Sequence, residues 1–192
     1  MNKPYVHIEN EWASLEECDN VIRTFGPKCK EHSFKDGEPF HYLGHFFTAN
    51  EVLSVLPNFG KRVQTLLDTY EKKYPEIQFS PSYFTLNELR LQRYLPGNSF
   101  GNFHYEHSYD TPYRVFNFIL YLSDNNCGTE FYTGEVLKTE PGRVGIFPTQ
   151  FTHCHRGQPD PHGKERYIIT GYFNYYNNEK DIGLKWKNIK TN

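Results

Sequence analysis

The spacing of turn residues in the second half of the chain limits the fold more than any other feature. From Phe79 onward the apolar runs are short: FTLNELRLQRYL, YRVFNFILYLSD, CGTEF, GRVGIFP and RYIITGYF, separated by Pro96-Gly97, Pro141-Gly142 and polar loops. In the first run, Leu86, Leu89 and Leu91 alternate with polar neighbours, the period of a half-buried strand. Short strands at this rhythm, continuing to about Tyr176, predict a closed or sandwiched β core. The chain also carries 15 Tyr and 16 Phe, residues that suit pleated surfaces.

The first 80 residues read differently. YVHIE, from Tyr5 to Glu9, predicts a strand, and Ser14 with Glu17 three residues on predicts a capping box. The helix that follows places Leu15, Cys18, Val21 and Ile22 on one face and fades at Gly26-Pro27. Lys28 to Phe47 reads as a loop, with a weak strand around HYLGHFF. Asn50 is the expected cap of EVLSVL, and a longer helix from Phe59 to Tyr74 carries Val63, Leu66, Leu67 and Tyr70 at helical spacing. Tyr74-Pro75 ends it, because proline restricts the residue before it. Helices first and strands second predict a mainly β, α+β chain. The expected architecture is one domain over 1–192, with a jelly-roll core at 81–176 buttressed by the strand and helices of 1–80.

Charge and cysteine usage exclude several classes of function. Lys+Arg 21 against Asp+Glu 23, with no basic stripe, argues against a long nucleic acid as partner. Cys18, Cys29, Cys127 and Cys154 are scattered without a CxxC pair, so neither a disulfide framework nor a zinc knuckle is expected. Free thiols, an opening without a signal-peptide pattern and no membrane-length apolar run predict a cytoplasmic protein.

His104 and Glu106 are two residues apart, so in an extended FHYE both would face one way and Tyr105 the other. A downstream histidine would complete two imidazoles and a carboxylate around a redox-active divalent metal, with coordination positions left open. His155 and His153 both qualify by position. His107 would face away from His104, and Asp110 could replace Glu106 only if HYEHSYD were a loop. His7, His32, His41, His45 and His162 read as surface or satisfied core residues. Arg166 opens an apolar strand, where an inward arginine needs an anion, and Arg114 and Arg156 are further cations near the site mouth.

The ordered blocks RYLPG, FHYE, FILYLSD, CGTEF, PGRVGIFP, HRGQP and GKERYIITGYF resemble the prolyl 4-hydroxylase branch of the Fe(II)/2-oxoglutarate-dependent dioxygenases, in particular its short bacterial and phage members. The opening VHIENEWASLEECDNVI is similar to that family's usual start. The resemblance implies a double-stranded β-helix and an enzyme using Fe(II), 2-oxoglutarate and O2, with ascorbate as a candidate addition. It implies His104, Glu106 and His155 as iron ligands, the HRGQP context favouring His155 over His153. Arg166 would pair with the distal carboxylate of 2-oxoglutarate. Tyr94, Tyr121, Thr129 and Thr170 would line the same pocket, with Tyr172 closing it.

The chain departs from the family pattern in four places. Glu106 stands where Asp is usual, Cys127 precedes Gly128 where a second glycine is usual, and Arg166 replaces the lysine of collagen-type members. The stretch PDPH lengthens the spacing between His155 and Arg166. The implied partner is a proline-containing peptide or protein. The same oxygenase chemistry on a free amino acid or nucleobase, and a non-catalytic jelly-roll module, are the alternatives. Lys28–Phe47 and Gly97–Gly101 are candidate substrate lids.

Overall fold

The computed structural model describes residues 2–31, 42–79, 84–124, 127–160, 163–175 and 184–186. His32, His41, His162 and most of the expected lid before Tyr42 lie outside them. In chain order the elements are β1 (His7–Glu9), α1 (Leu15–Phe25), β2 (Lys30–Glu31), β3 (Leu43–Phe46), α2 (Ala49–Val55) and α3 (Phe59–Lys73). Then come β4 (Phe84–Tyr94), β5 (Arg114–Tyr121), β6 (Gly128–Phe131), β7 (Val136–Lys138) and β8 (Val144–Pro148). The last are β9 (His155–Gly157), β10 (Arg166–Tyr175) and β11 (Leu184–Trp186).

Local chemistry explains the helix boundaries. At α1 the Ser14 side chain accepts from Glu17 N at 3.1 Å, and the Glu17 carboxylate accepts from Ser14 N at 2.8 Å. Cys18, Val21 and Phe25 are the residues it buries, whereas Leu15 in its first turn stays exposed. The expected cap of α2 is corrected: Thr48, not Asn50, caps it, in a second capping box with Glu51. β1 is shorter than YVHIE because Tyr5 has φ 59°, outside the extended region.

The strands form an antiparallel jelly roll of two facing sheets. The larger runs β1-β8-β5-β10-β4-β3-β2, with β11 also paired to β4, and the smaller runs β7-β6-β9. The N-terminal strands therefore join the core sheet: β1 pairs β8 and β3 pairs β4. Gly128 allows β6 and β7 to approach, because a Cβ there would sit 2.2 Å from the Leu137 carbonyl oxygen.

Strand alternation divides the large sheet into a helix side and an inner side. Phe116, Phe118 and Leu120 of β5, Val144 and Ile146 of β8, and Leu89 and Leu91 of β4 join the cluster built with the helices. Trp12, Phe59, Val63, Leu66 and Tyr70 meet them there. The intervening residues, among them Ile119, Tyr121, Phe147 and Ile168, form a second cluster facing the small sheet. A bulge explains the three-residue step from Leu86 to Leu89. Arg90 pairs Thr170 and Asn87 pairs Tyr172, so Glu88 and Leu89 oppose Gly171 alone, and Glu88 takes φ 57°. Thr170 and Tyr172, two apart on the partner strand β10, both line the same inner cavity.

Candidate active site

The inner faces of three neighbouring strands make the walls of a cavity of about 240 Å³. β4 contributes Arg90, Gln92 and Tyr94, and β5 contributes Asn117, Ile119 and Tyr121. β10 contributes Arg166, Ile168, Thr170 and Tyr172. Each set steps by two residues, as the pleat requires. Thr129 of β6, with His155 and Gly157 of β9, faces them from the small sheet.

His104 and Glu106 reach the cavity from a segment that is not the regular strand expected. His104 forms an isolated bridge with His155, His104 N donating to His155 O at 2.9 Å and His155 N to His104 O at 2.8 Å. Beyond it the chain hangs from Thr149, whose carbonyl accepts from Glu106 N and His107 N at 3.0 and 3.1 Å. The same-face arrangement nevertheless holds: Tyr105 is exposed, while His104 and Glu106 line the cavity.

One ligand atom from each of His104, Glu106 and His155 lies within 4.8 Å of the others. Each imidazole has its Nδ1 2.9 Å from a backbone carbonyl, that of Asn102 for His104 and of His153 for His155. A carbonyl only accepts, so both Nδ1 atoms carry a proton, and Nε2 is the atom each ring would offer to a metal. Phe100 packs on His104 with centroids 4.0 Å apart, and Phe147 meets His155 edge-on at 5.1 Å.

The electrostatics suit a divalent cation. Burial and repulsion by His104 push the His155 imidazole down to about 4, so it is neutral at pH 7. Burial pushes the Glu106 carboxyl up, but His104, His155 and Arg114 outweigh it and hold it at about 2. Glu106 Oε1 is 3.2 Å from His104 Nε2, and its Oε2 accepts from Arg114 Nη1 at 3.0 Å. A nitrogen–oxygen set without thiolate fits non-haem iron better than structural zinc.

Arg166 is 4 % exposed. Its Nη1 donates to Gln158 O at 2.8 Å and to Cys127 Sγ at 3.3 Å, and its guanidinium lies 4.2 Å from the centre of the Tyr94 ring. Its Nε and the Thr170 hydroxyl are buried without a hydrogen-bond partner. Unpartnered buried polar atoms on one cavity wall are what a bound carboxylate would satisfy. Tyr121 and Thr129 share a hydrogen bond of 2.7 Å beside them. Burial pushes the Tyr94 phenol up to about 12, so it stays protonated.

Several expectations about neighbouring residues are corrected. His153 does not share a strand with His155: it ends a 3-10 turn, Phe151–His153, and its Nε2 lies 2.9 Å from Pro4 O, outside the cavity. His107 faces away from the cavity but is half-buried, its Nδ1 3.3 Å from Arg114 O. Arg114 lines the cavity with its charge already paired. It is bonded to Glu106 and Glu88 and lies 3.7 Å from the centre of the Tyr172 ring. Arg156 pairs with Glu130 at 2.9 Å. His7 is buried, 3.1 Å from Glu9, and the half-buried His45 is 3.3 Å from Glu51. Arg90, Gln92, Asn117 and Tyr42 line the cavity without having been singled out in the sequence. Counting back from Tyr94 in steps of two finds Gln92 and Arg90.

Residues 89–174 match the family model of the 2OG-Fe(II) oxygenase superfamily. That segment is similar to the 2OG-Fe(II) oxygenases, and the whole chain has the fold of the prolyl hydroxylases. The fold is similar to that of a viral collagen prolyl hydroxylase from Paramecium bursaria Chlorella virus-1, solved with 2OG. There the TM-score is 0.69 at 17% identity, over 90% of this chain and 97% of that one. A Pseudomonas putida prolyl-4-hydroxylase gives 0.63 at 13% identity, over 90% and 94%. A Trichoplax adhaerens prolyl hydroxylase in complex with a hypoxia inducible factor peptide gives 0.66 at 14%, over 91% and 85%. No curated protein sequence matches the chain. Among the described residues, no helix of the chain is long and apolar enough to cross a membrane.

Proposed function

We propose that this oxygenase hydroxylates a prolyl residue of a peptide or protein while converting 2-oxoglutarate to succinate and CO2. One observation carries the reading: His104, Glu106 and His155 converge within 4.8 Å in the cavity that also holds the buried Arg166. When bound, Fe(II) with 2-oxoglutarate and O2 supplies the oxidising power; one oxygen atom of O2 enters succinate and the other the substrate hydroxyl. The two imidazoles and Glu106 would hold the metal. Arg166 would take the distal carboxylate of 2-oxoglutarate, its guanidinium held in place by Gln158 and by the face of Tyr94. The Thr170 hydroxyl would supply a further donor, while Tyr121, paired with Thr129, would wall the co-substrate and exclude water.

The choice of peptidyl proline rests on the sequence blocks and on the fold shared with three prolyl hydroxylases, one of them bound to a peptide. Incubation with Fe(II), 2-oxoglutarate, O2 and a panel of proline-rich peptides tests it, read by mass spectrometry together with succinate release. A +16 shift on proline, matched by succinate, is expected. A shift confined to free amino acids or nucleobases, or succinate release without any product, refutes the peptidyl assignment.

A further inference from the structure

Arg90 is a second cation in the cavity. On β4 it shares an inward face with Gln92 and Tyr94, and in register it pairs with Thr170. Four residues separate it from Tyr94, the residue in register with Arg166, which is about 13 Å of extended chain. The two arginines therefore enter the same cavity from well-separated backbone positions, Arg90 beside Gln92 and Arg166 over the Tyr94 ring.

The surroundings of Arg90 hold it in place without neutralising it. Its guanidinium lies 5.3 Å from the centre of the Tyr42 ring and 5.6 Å from that of Phe46. The Gln92 amide satisfies both neighbours when its oxygen accepts from Arg90 Nη2 and Nε at 3.1 and 3.2 Å and its nitrogen donates to the Tyr94 hydroxyl at 2.8 Å. Among the described residues no carboxylate forms an ion pair with Arg90. Glu106, whose charge is felt at Arg90, and Glu88 are both bonded to Arg114. A half-buried arginine oriented by an amide and two aromatic faces, with no carboxylate paired to it among the described residues, is prepared for an anion that arrives from outside.

We propose that Arg90 determines substrate specificity by binding a carboxylate of the substrate, so that this oxygenase prefers an acidic group next to the position it hydroxylates. The inference rests on the oxygenase reading above and narrows its substrate class. A carboxylate could come from an acidic residue flanking the target proline or from the α-carboxylate of proline itself, and two probe pairs separate these sources.

The experiment is anaerobic calorimetric titration of the protein loaded with Mn(II) and 2-oxoglutarate. The first pair is N-acetyl-Asp-Pro-Gly-amide against its Asn counterpart, and the second is L-proline against L-prolinamide. The wild type is expected to bind the acidic member of one pair at least about tenfold more tightly. Arg90→Met should abolish that preference and Arg90→Lys should retain part of it, with 2-oxoglutarate affinity kept within about threefold. Should Arg90→Met not fold, Arg90→Gln carries the same comparison. No preference in the wild type, or a preference that survives in Arg90→Met, overturns the proposal. An equal loss of 2-oxoglutarate affinity also overturns it, by assigning Arg90 to the co-substrate. Failure of the wild type to bind Mn(II) and 2-oxoglutarate refutes the oxygenase reading instead. The probe pairs titrated against the protein alone then still decide the role of Arg90.

Discussion

Replacing Arg166 with methionine tests the proposed co-substrate site most directly. The substitution keeps an apolar stem of similar reach against Tyr94 and removes the guanidinium. Arg166 already spends Nη1 on Gln158 and Cys127, while its Nε has no partner in the buried wall. A carboxylate meeting this group would gain charge-assisted hydrogen bonds of about 1.5–3 kcal/mol each. Truncating one partner of such a buried pair costs roughly 2–5 kcal/mol. Taking about 3 kcal/mol, 2-oxoglutarate should bind roughly 150-fold more weakly to Arg166→Met. Calorimetry with Mn(II) in place of iron measures this without turnover. Mn(II) affinity should change by less than about threefold, because Arg166 is not one of the three proposed metal ligands. Pyruvate supplies the control, since it keeps the keto acid but lacks the distal carboxylate, and its weak binding should be nearly indifferent to the substitution. A loss of 2-oxoglutarate affinity below about tenfold, or an equal loss for pyruvate, refutes the assignment.

Two further outcomes are expected. His155→Ala should lower Mn(II) affinity by at least about 100-fold, whereas His153→Ala should leave it unchanged and cost about 1 kcal/mol of stability through the lost bond to Pro4 O. Equal effects on metal binding would reverse the choice between the two histidines. Glu17→Gln tests the α1 cap and its ion pair with Arg62 at 2.6 Å. Burial pushes the Glu17 carboxyl up, but Arg62 and Ser14 outweigh it, so its folded pKa lies below the ordinary carboxylate value of 4.5. Its contribution is therefore complete above that value and lost as pH falls through the depressed folded pKa. Urea melts should show Glu17→Gln less stable by about 1 kcal/mol at pH 7 and indistinguishable from wild type once both carboxyl states are protonated; a difference independent of pH would refute the electrostatic account.

The parts of this protein that were legible in the sequence are those written in local patterns. SLEE specified a capping box, and the Val63, Leu66, Leu67, Tyr70 stripe is the face that α3 buries. The same TxxE signal stands at Thr48 and Glu51, but Asn50 is by type equally suited to a cap, so local pattern alone does not separate the two. The spacing of His104 and Glu106, together with the ordered family blocks, pointed to candidate ligands that the cavity brings together. It did so although the segment is a single bridge and not a strand. The LNEL step already contained the β4 bulge, since a regular strand does not advance its apolar face by three.

Sequence by itself determined which chemical groups are available and which face of each helix or strand they share, because those follow from periods of 3.6 and 2 within one element. Tertiary structure alone decided which of those groups meet. The Glu106–Arg114 pair, the turn that sends His153 to Pro4, and the absence of any carboxylate partner for Arg90 among the described residues all depend on register between strands far apart in the chain. No local pattern encodes a distance across the cavity; pairing and packing of the whole sheet set it.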